Sequence, residues 1–142
     1  MQPSIKDSSK LRFYTLSPGE KEKVVDLIRE LLLKDDNIVC AILFGGFLKD
    51  RPFRDIDIAV ILDNKIADII ESYNYLSDLA EKLERNIGFP IDFVDIRFAR
   101  DWIRIRIFKE GLVLVDKDPI LRLRYKLCTW DNDLSRIRSH KL

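Results

Sequence analysis

Ile38-Val-Cys-Ala-Ile-Leu-Phe44 is a continuous apolar run rich in β-branched residues, and it stops at the pair Gly45-Gly46. A second such run closes the segment Asp55-Ile-Asp-Ile-Ala-Val-Ile-Leu62. A strand with one wet face alternates apolar and polar residues, whereas a run without alternation has to be covered on both faces. The two segments therefore predict interior strands of one sheet with helices against it, joined by the short charged loop Phe47–Arg54. Interior strands cost free energy wherever a charge is placed in them, which makes the two acids at the start of the second run conspicuous.

The remaining elements follow from capping and periodicity. Ser17-Pro18-Gly19-Glu20 supplies an N-cap, a proline at the first helical position and a capping-box acid, and Val24, Val25, Leu27, Ile28, Leu31 and Leu32 recur at helical spacing, predicting a helix from about 18 to 34. Asp63-Asn64 is of capping type and predicts a second helix to about Asn86, with Ile66, Ile69, Ile70, Tyr73, Leu76, Leu79, Ala80 and Leu83 as its buried stripe, closed by Gly88. Ile91-Asp-Phe-Val-Asp-Ile96 reads as a third strand. Phe98–Lys109 reads as a helix with Trp102, Ile105 and Phe108 on one side and Gly111 at its end, Leu112–Val115 as a short strand, and Pro119 opens a last helix.

The order of elements predicts an α/β (α+β) domain, a small mixed β-sheet flanked by helices. At 142 residues the chain suits one domain. We expect residues 1–16 as a flexible N-terminal tail, 17–134 as the domain and 135–142 as a loose basic tail. With 25 Lys and Arg against 24 Asp and Glu, no net field draws the chain to nucleic acid. No apolar run approaches the ~18 residues needed to span a bilayer, and the polar start lacks the apolar centre of a signal peptide, so a cytoplasmic location is expected. Cys40 and Cys128 lie in no metal or redox pattern and are expected as buried free thiols.

Asp55 and Asp57 stand two apart in a predicted strand, so both side chains leave the same face, near enough to share a cation or an adjacent pair. Gly45-Gly46, just before them, permits close backbone approach to a phosphate. A third carboxylate is available in the next strand from Asp92 or Asp95, which point to opposite faces; Asp92 at the strand start is the better placed, leaving Asp95 to cap the strand's exit or the helix that follows it. Three such acids suit hard divalent cations, which take oxygen ligands and share substrate phosphates. Lys49, Arg51 and Arg54 in the intervening loop are candidate phosphate contacts.

Leu43-Phe-Gly-Gly-Phe-Leu-Lys-Asp-Arg-Pro-Phe-Arg-Asp-Ile-Asp-Ile-Ala-Val60, followed by Ile91-Asp-Phe-Val-Asp95, resembles the signature of the minimal nucleotidyltransferases (MNT) of the polymerase-β superfamily. That signature is Gly-Ser, about ten residues, Asp-x-Asp, and a third Asp one helix later. The resemblance implies the polymerase-β-like nucleotidyltransferase fold and AMP transfer from ATP to a hydroxyl acceptor. Asp55, Asp57 and Asp92 would be the catalytic and metal-binding acids for two Mg²⁺ ions, with Mn²⁺ as a substitute, and Gly45, Gly46, Lys49 and Arg54 would contact the nucleotide. It also implies a small helical partner of the HEPT type, toward which the protein acts as antitoxin in a toxin-antitoxin system. Two departures fall at the phosphate side: Gly46 stands where the motif has Ser, and only the eight residues Phe47–Arg54 separate the glycines from Asp55. They open the alternative of a weak or inactive transferase-like protein that acts by binding its partner.

Overall fold

The computed structural model describes residues 12–141, with side chains up to Asp131. The elements run α1 (Pro18–Leu33), β1 (Ile38–Phe44), β2 (Ile56–Leu62), α2 (Ile69–Ile87), β3 (Ile91–Asp95), α3 (Asp101–Glu110), β4 (Leu112–Asp116) and α4 (Pro119–Lys141), with short 3-10 turns at Gly46–Leu48 and Ile96–Phe98. The four strands form one mixed sheet in the order β3-β2-β1-β4. β1 is antiparallel to both of its neighbours, while β2 and β3 are parallel and are joined through α2. The expected mixed sheet with flanking helices is thus the observed one.

The unbroken apolar runs find both faces covered. On one side Ile38, Ala41, Leu43, Ile56, Ile58 and Val60 join Ile28 and Leu32 of α1 and Leu76, Leu79 and Leu83 of α2. On the other, Cys40, Ile42, Phe44, Ala59 and Ile61 meet Ile107 of α3, with Leu121 and Tyr125 of α4 packed on them. Burying an aliphatic side chain of this size stabilises the fold by about 1.5–3 kcal/mol. The sheet core is therefore the main reason the register at its ends is fixed.

α1 starts where its capping box predicts: Ser17 Oγ accepts from the Glu20 amide and the Glu20 carboxylate accepts from the Ser17 amide. The start of α2 differs from the sequence expectation. Asp63 does not cap it; its carboxylate accepts from the Lys65 amide in a turn of its own, and Asp68 caps α2 by accepting from Glu71. As a result Ile69, Ile70 and Tyr73, expected in the buried stripe, are 59%, 69% and 71% exposed. Gly88, in the left-handed region at φ 88°, ends the helix as expected.

α3 also begins late, because the Asp95 carboxylate accepts from the Arg97 amide and tightens the chain after β3 into a 3-10 turn. Its buried residue is Ile107, with Ile103 and Phe108 beside it, while Trp102 is 59% exposed. Cys40 is buried, but Cys128 is exposed, since the inward face of α4 is taken by Leu121, Tyr125 and Thr129.

Tyr14 exchanges backbone hydrogen bonds with Phe53 and stacks edge-on against Phe89, so packing begins ahead of Ser17. The expected loose tail is helical through Lys141, in keeping with a stretch free of Gly and Pro after Pro119; the polar start, residues 1–11, lies outside the described residues. Among the described residues no helix is long and apolar enough to cross a membrane. The start of α2 gives a direct check: Asp68→Ala should lower stability by about 1 kcal/mol in urea denaturation, and Asn64→Ala, in the expected capping pair Asp63-Asn64, should stay within about 0.5 kcal/mol of the parent.

Candidate functional site

Register brings the acids together. β2 and β3 pair with Asp57 opposite Asp92, and β1 pairs with β2 so that Phe44 stands opposite Asp57. Adjacent strands lie about 4.8 Å apart, so carboxylates directly opposed on one face are neighbours. Asp55, at the entrance to β2, shares the face of Asp57. One oxygen from each of Asp55, Asp57 and Asp92 lies within 4.8 Å of the other two. Asp92 is the exposed member and the other two are half-buried.

Asp95 is placed elsewhere, on the α2 face of the sheet. Its buried carboxylate accepts from Ser72 Oγ at 2.7 Å and from the Arg97 guanidinium at 2.8 Å. These are structural bonds that leave Asp95 no part in the cluster.

Electrostatics mark the cluster as short of positive charge. Burial raises the Asp57 pKa first, and the charges of Asp55 and Asp92 push it further, to about 7. Burial and the Asp55 charge raise Asp92 as well, while a hydrogen bond with Asp57 works the other way. Among the described residues the charge of Arg106 on α3 opposes this rise at Asp57. Oxygen-only donors, converging on one point and destabilised as anions, fit a hard divalent cation.

Gly45 follows β1 directly above this cluster. Its φ is 83°, and a Cβ there would collide with Oδ2 of Asp57. The residue is glycine because the backbone must pass this close to a carboxylate in a conformation that L side chains rarely adopt. Gly46 is different: a Cβ there meets nothing within 4 Å, so the position has room for a serine.

The loop after Gly46 is held firmly for so charged a segment. Phe47 and Phe53 are buried and meet edge-on at 4.8 Å between ring centroids, and Lys21 of α1 donates to the carbonyls of Phe47 and Lys49 while lying over both rings. Gly46, Arg51, Arg54 and Asp55 line a common hollow of about 510 Å³. Lys49 is not among its lining residues; its ammonium pairs with Glu110 at 3.1 Å. Sequence reasoning missed Lys21 and Arg106. Both sit on helices where a basic residue is ordinarily solvated, and neither Lys21 nor the alternating run Trp102-Ile-Arg-Ile-Arg-Ile107 that contains Arg106 points to the carboxylates by its spacing.

The chain matches the family described as Polymerase beta, Nucleotidyltransferase over residues 26–120. No curated protein matches it. Among solved structures, one from Shewanella oneidensis superposes with a TM-score of 0.61 at 21% identity, covering 84% of this chain and 92% of that one. The toxin-antitoxin complex MntA-HepT contains a chain similar at TM-score 0.57 and 21% identity, with 88% of this chain and 93% of that one covered. A complex of tri-AMPylated Shewanella oneidensis HEPN toxin with MNT antitoxin gives TM-score 0.58 at 21% identity, covering 86% and 90%. At this identity the structures speak for the fold.

Two outcomes test the geometry. An acid whose pKa is higher in the folded than in the unfolded chain favours folding while protonated, so the advantage is lost as pH rises from 3.8 through about 7. In chelator, melting temperature should therefore carry a downward component over that range; Asp57→Asn should remove it and gain about 2 kcal/mol at pH 8, the half-exposed cleft screening part of the shift. At the glycines, Gly45→Ala should cost about 2 kcal/mol or more by denaturant titration, whereas Gly46→Ser should leave stability within about 0.5 kcal/mol.

Proposed function

The chain belongs to the polymerase beta nucleotidyltransferase family, and from that premise we propose that it transfers AMP from ATP to a hydroxyl group of a partner protein. The observation that carries this reading is the convergence of the Asp55, Asp57 and Asp92 carboxylates within 4.8 Å. Asp55 and Asp57 would hold two divalent cations, Mg²⁺ or in its place Mn²⁺, and Asp92 would complete the site on the acceptor side. Bound there, such cations supply positive charge to the phosphate oxygens of the nucleotide.

The chain's own residues then have separate tasks. Gly45 and Gly46 present backbone beside the cluster, and Gly46, Arg51 and Arg54 border a hollow in which a triphosphate tail would be met by positive charge. Arg106 of α3 offsets part of the anionic charge at Asp57. Asp92, exposed and with its pKa raised, would accept the proton of the incoming hydroxyl. The acceptor oxygen forms a bond to the α-phosphorus as the bond to the bridging oxygen of pyrophosphate breaks, so pyrophosphate leaves with the electron pair.

The partner reading draws on the similar complexes, in one of which a HEPN toxin carries AMP and is bound by an MNT antitoxin. By the same reading this chain is the antitoxin of a small helical toxin and modifies it. A second reading, silencing the partner by contact alone, is favoured by one observation: Gly46 offers no hydroxyl where the family motif has one.

Incubation with α-labelled ATP, Mg²⁺ and the product of the neighbouring gene separates the two. Label should appear on a Tyr, Ser or Thr of the partner, and Asp57→Asn should reduce the rate by at least about 10³-fold because both cations lose a shared ligand. Gly46→Ser should raise it. A tight complex without label, unchanged in Asp57→Asn, would decide for contact alone.

A further inference from the structure

A second surface adjoins the carboxylate cluster and shares Asp92 with it. Along the β3 edge of the sheet, β3 and α2 border a groove of about 450 Å³ whose lining includes Ile69, Tyr73, Leu76, Phe93, Phe98 and Asp92. Ile69 and Tyr73 are the residues of α2 that the sequence assigns to the core and the structure leaves largely exposed. The groove and the carboxylate cluster therefore share one residue, Asp92, the exposed acid of the three.

Among the described residues β3 is an edge strand, bonded in the sheet to β2 alone. The Ile56 amide donates to the Pro90 carbonyl. In a parallel ladder alternate residues bond to the same neighbour, so Pro90, Asp92 and Val94 direct their backbone groups to β2, and Ile91, Phe93 and Asp95 direct theirs outward. The Ile91 amide is taken by the Glu84 carboxylate, which places the opening for an added strand around Phe93. Side chains alternate as well: Phe93 packs with the α2 core, whereas Val94, two residues from Asp92 and on its face, packs on the opposite side.

We propose that the acceptor hydroxyl is presented by an extended segment of the partner that adds to the free edge of β3, with the hydroxyl residue opposite Asp92. The inference rests on the transferase reading above and specifies its acceptor. Residues paired across two strands project to the same face. The residue opposite Asp92 thus points to the carboxylate cluster, and at a strand spacing of about 4.8 Å its hydroxyl lies beside the Asp92 carboxylate. Its two neighbours point to the other face, against Ile69, Tyr73 and Phe93. Backbone pairing supplies affinity and the alternate pocket supplies choice, so the acceptor is a Tyr, Ser or Thr flanked directly by apolar residues.

Ten-residue peptides carrying one Tyr, Ser or Thr flanked on both sides by Val, or by Lys, test this with labelled ATP and Mg²⁺. The full chain should label the Val-flanked peptides about tenfold faster or more, the discrimination expected of an apolar contact. Ile69→Glu with Tyr73→Glu, both at exposed positions, should abolish that preference while leaving the rise in melting temperature with Mg²⁺ and ATP unchanged. Equal labelling whatever the flanks, or a double variant that behaves as the parent, overturns the docking and leaves the transferase standing. A dimer in analytical ultracentrifugation that the double variant dissolves would put a second copy on this edge and also overturn it. If no peptide is labelled, the groove does not hold the acceptor; if, in addition, the melting shift persists in Asp57→Asn, the transferase reading falls with it.

Discussion

A slip of one residue between β2 and β3 would turn Ile56, Ile58 and Val60 away from α1 and α2 and drive Asp57 into the apolar layer in their place. Both central strands are buried on two faces, so no such slip has an acceptable partner. That constraint holds Asp57 opposite Asp92 and sets Gly45 over the Asp57 carboxylate. Repulsion among three acids is a few kcal/mol at most in so open a cleft, whereas the burial on either side of it is many times larger. The core wins, and the charges are left held in proximity.

The same balance explains which features could be read from the chain. Runs that lack alternation, as in β1 and β2, admit one interpretation, and the period of two sends Asp92 and Asp95 to opposite faces from the sequence alone. Capping is more ambiguous, because Asp63 and Asp68 are chemically alike; the choice between them depends on where the chain turns after β2, which is settled by the turn at Lys65. Apolar periodicity also cannot separate a face covered by the chain itself from one left bare, so Ile69, Ile70 and Tyr73 look like core and are not. Arg106 and Lys21 were illegible for a related reason: their significance lies in which strand end they reach, not in their spacing along a helix.

The loop between the glycines and Asp55 illustrates how charge in a sequence can conceal order. Lys49, Asp50, Arg51 and Arg54 suggest a solvated excursion, yet Phe47 and Phe53 anchor both ends in a cluster with Tyr14 and Phe89. Lys21 fastens the first half from below through two carbonyls. Arg51 and Arg54 line the hollow while the aromatic residues carry the packing. A loop shorter than the family motif is accordingly a rigid rim, and pre-organised donors lose little entropy on meeting an anion.

The two thiols differ in a way that reaches beyond packing. Cys40 is sealed between the sheet and α4, and burial together with the nearby Asp116 charge lifts its pKa to about 12. It presents almost no thiolate at neutral pH, and alkylating reagents have no path to it. Cys128 stands exposed on α4. The unaltered chain is thus already a singly addressable molecule: a maleimide dye attaches at one place, on the helix farthest along the chain, and reports on whatever later comes to lie against it.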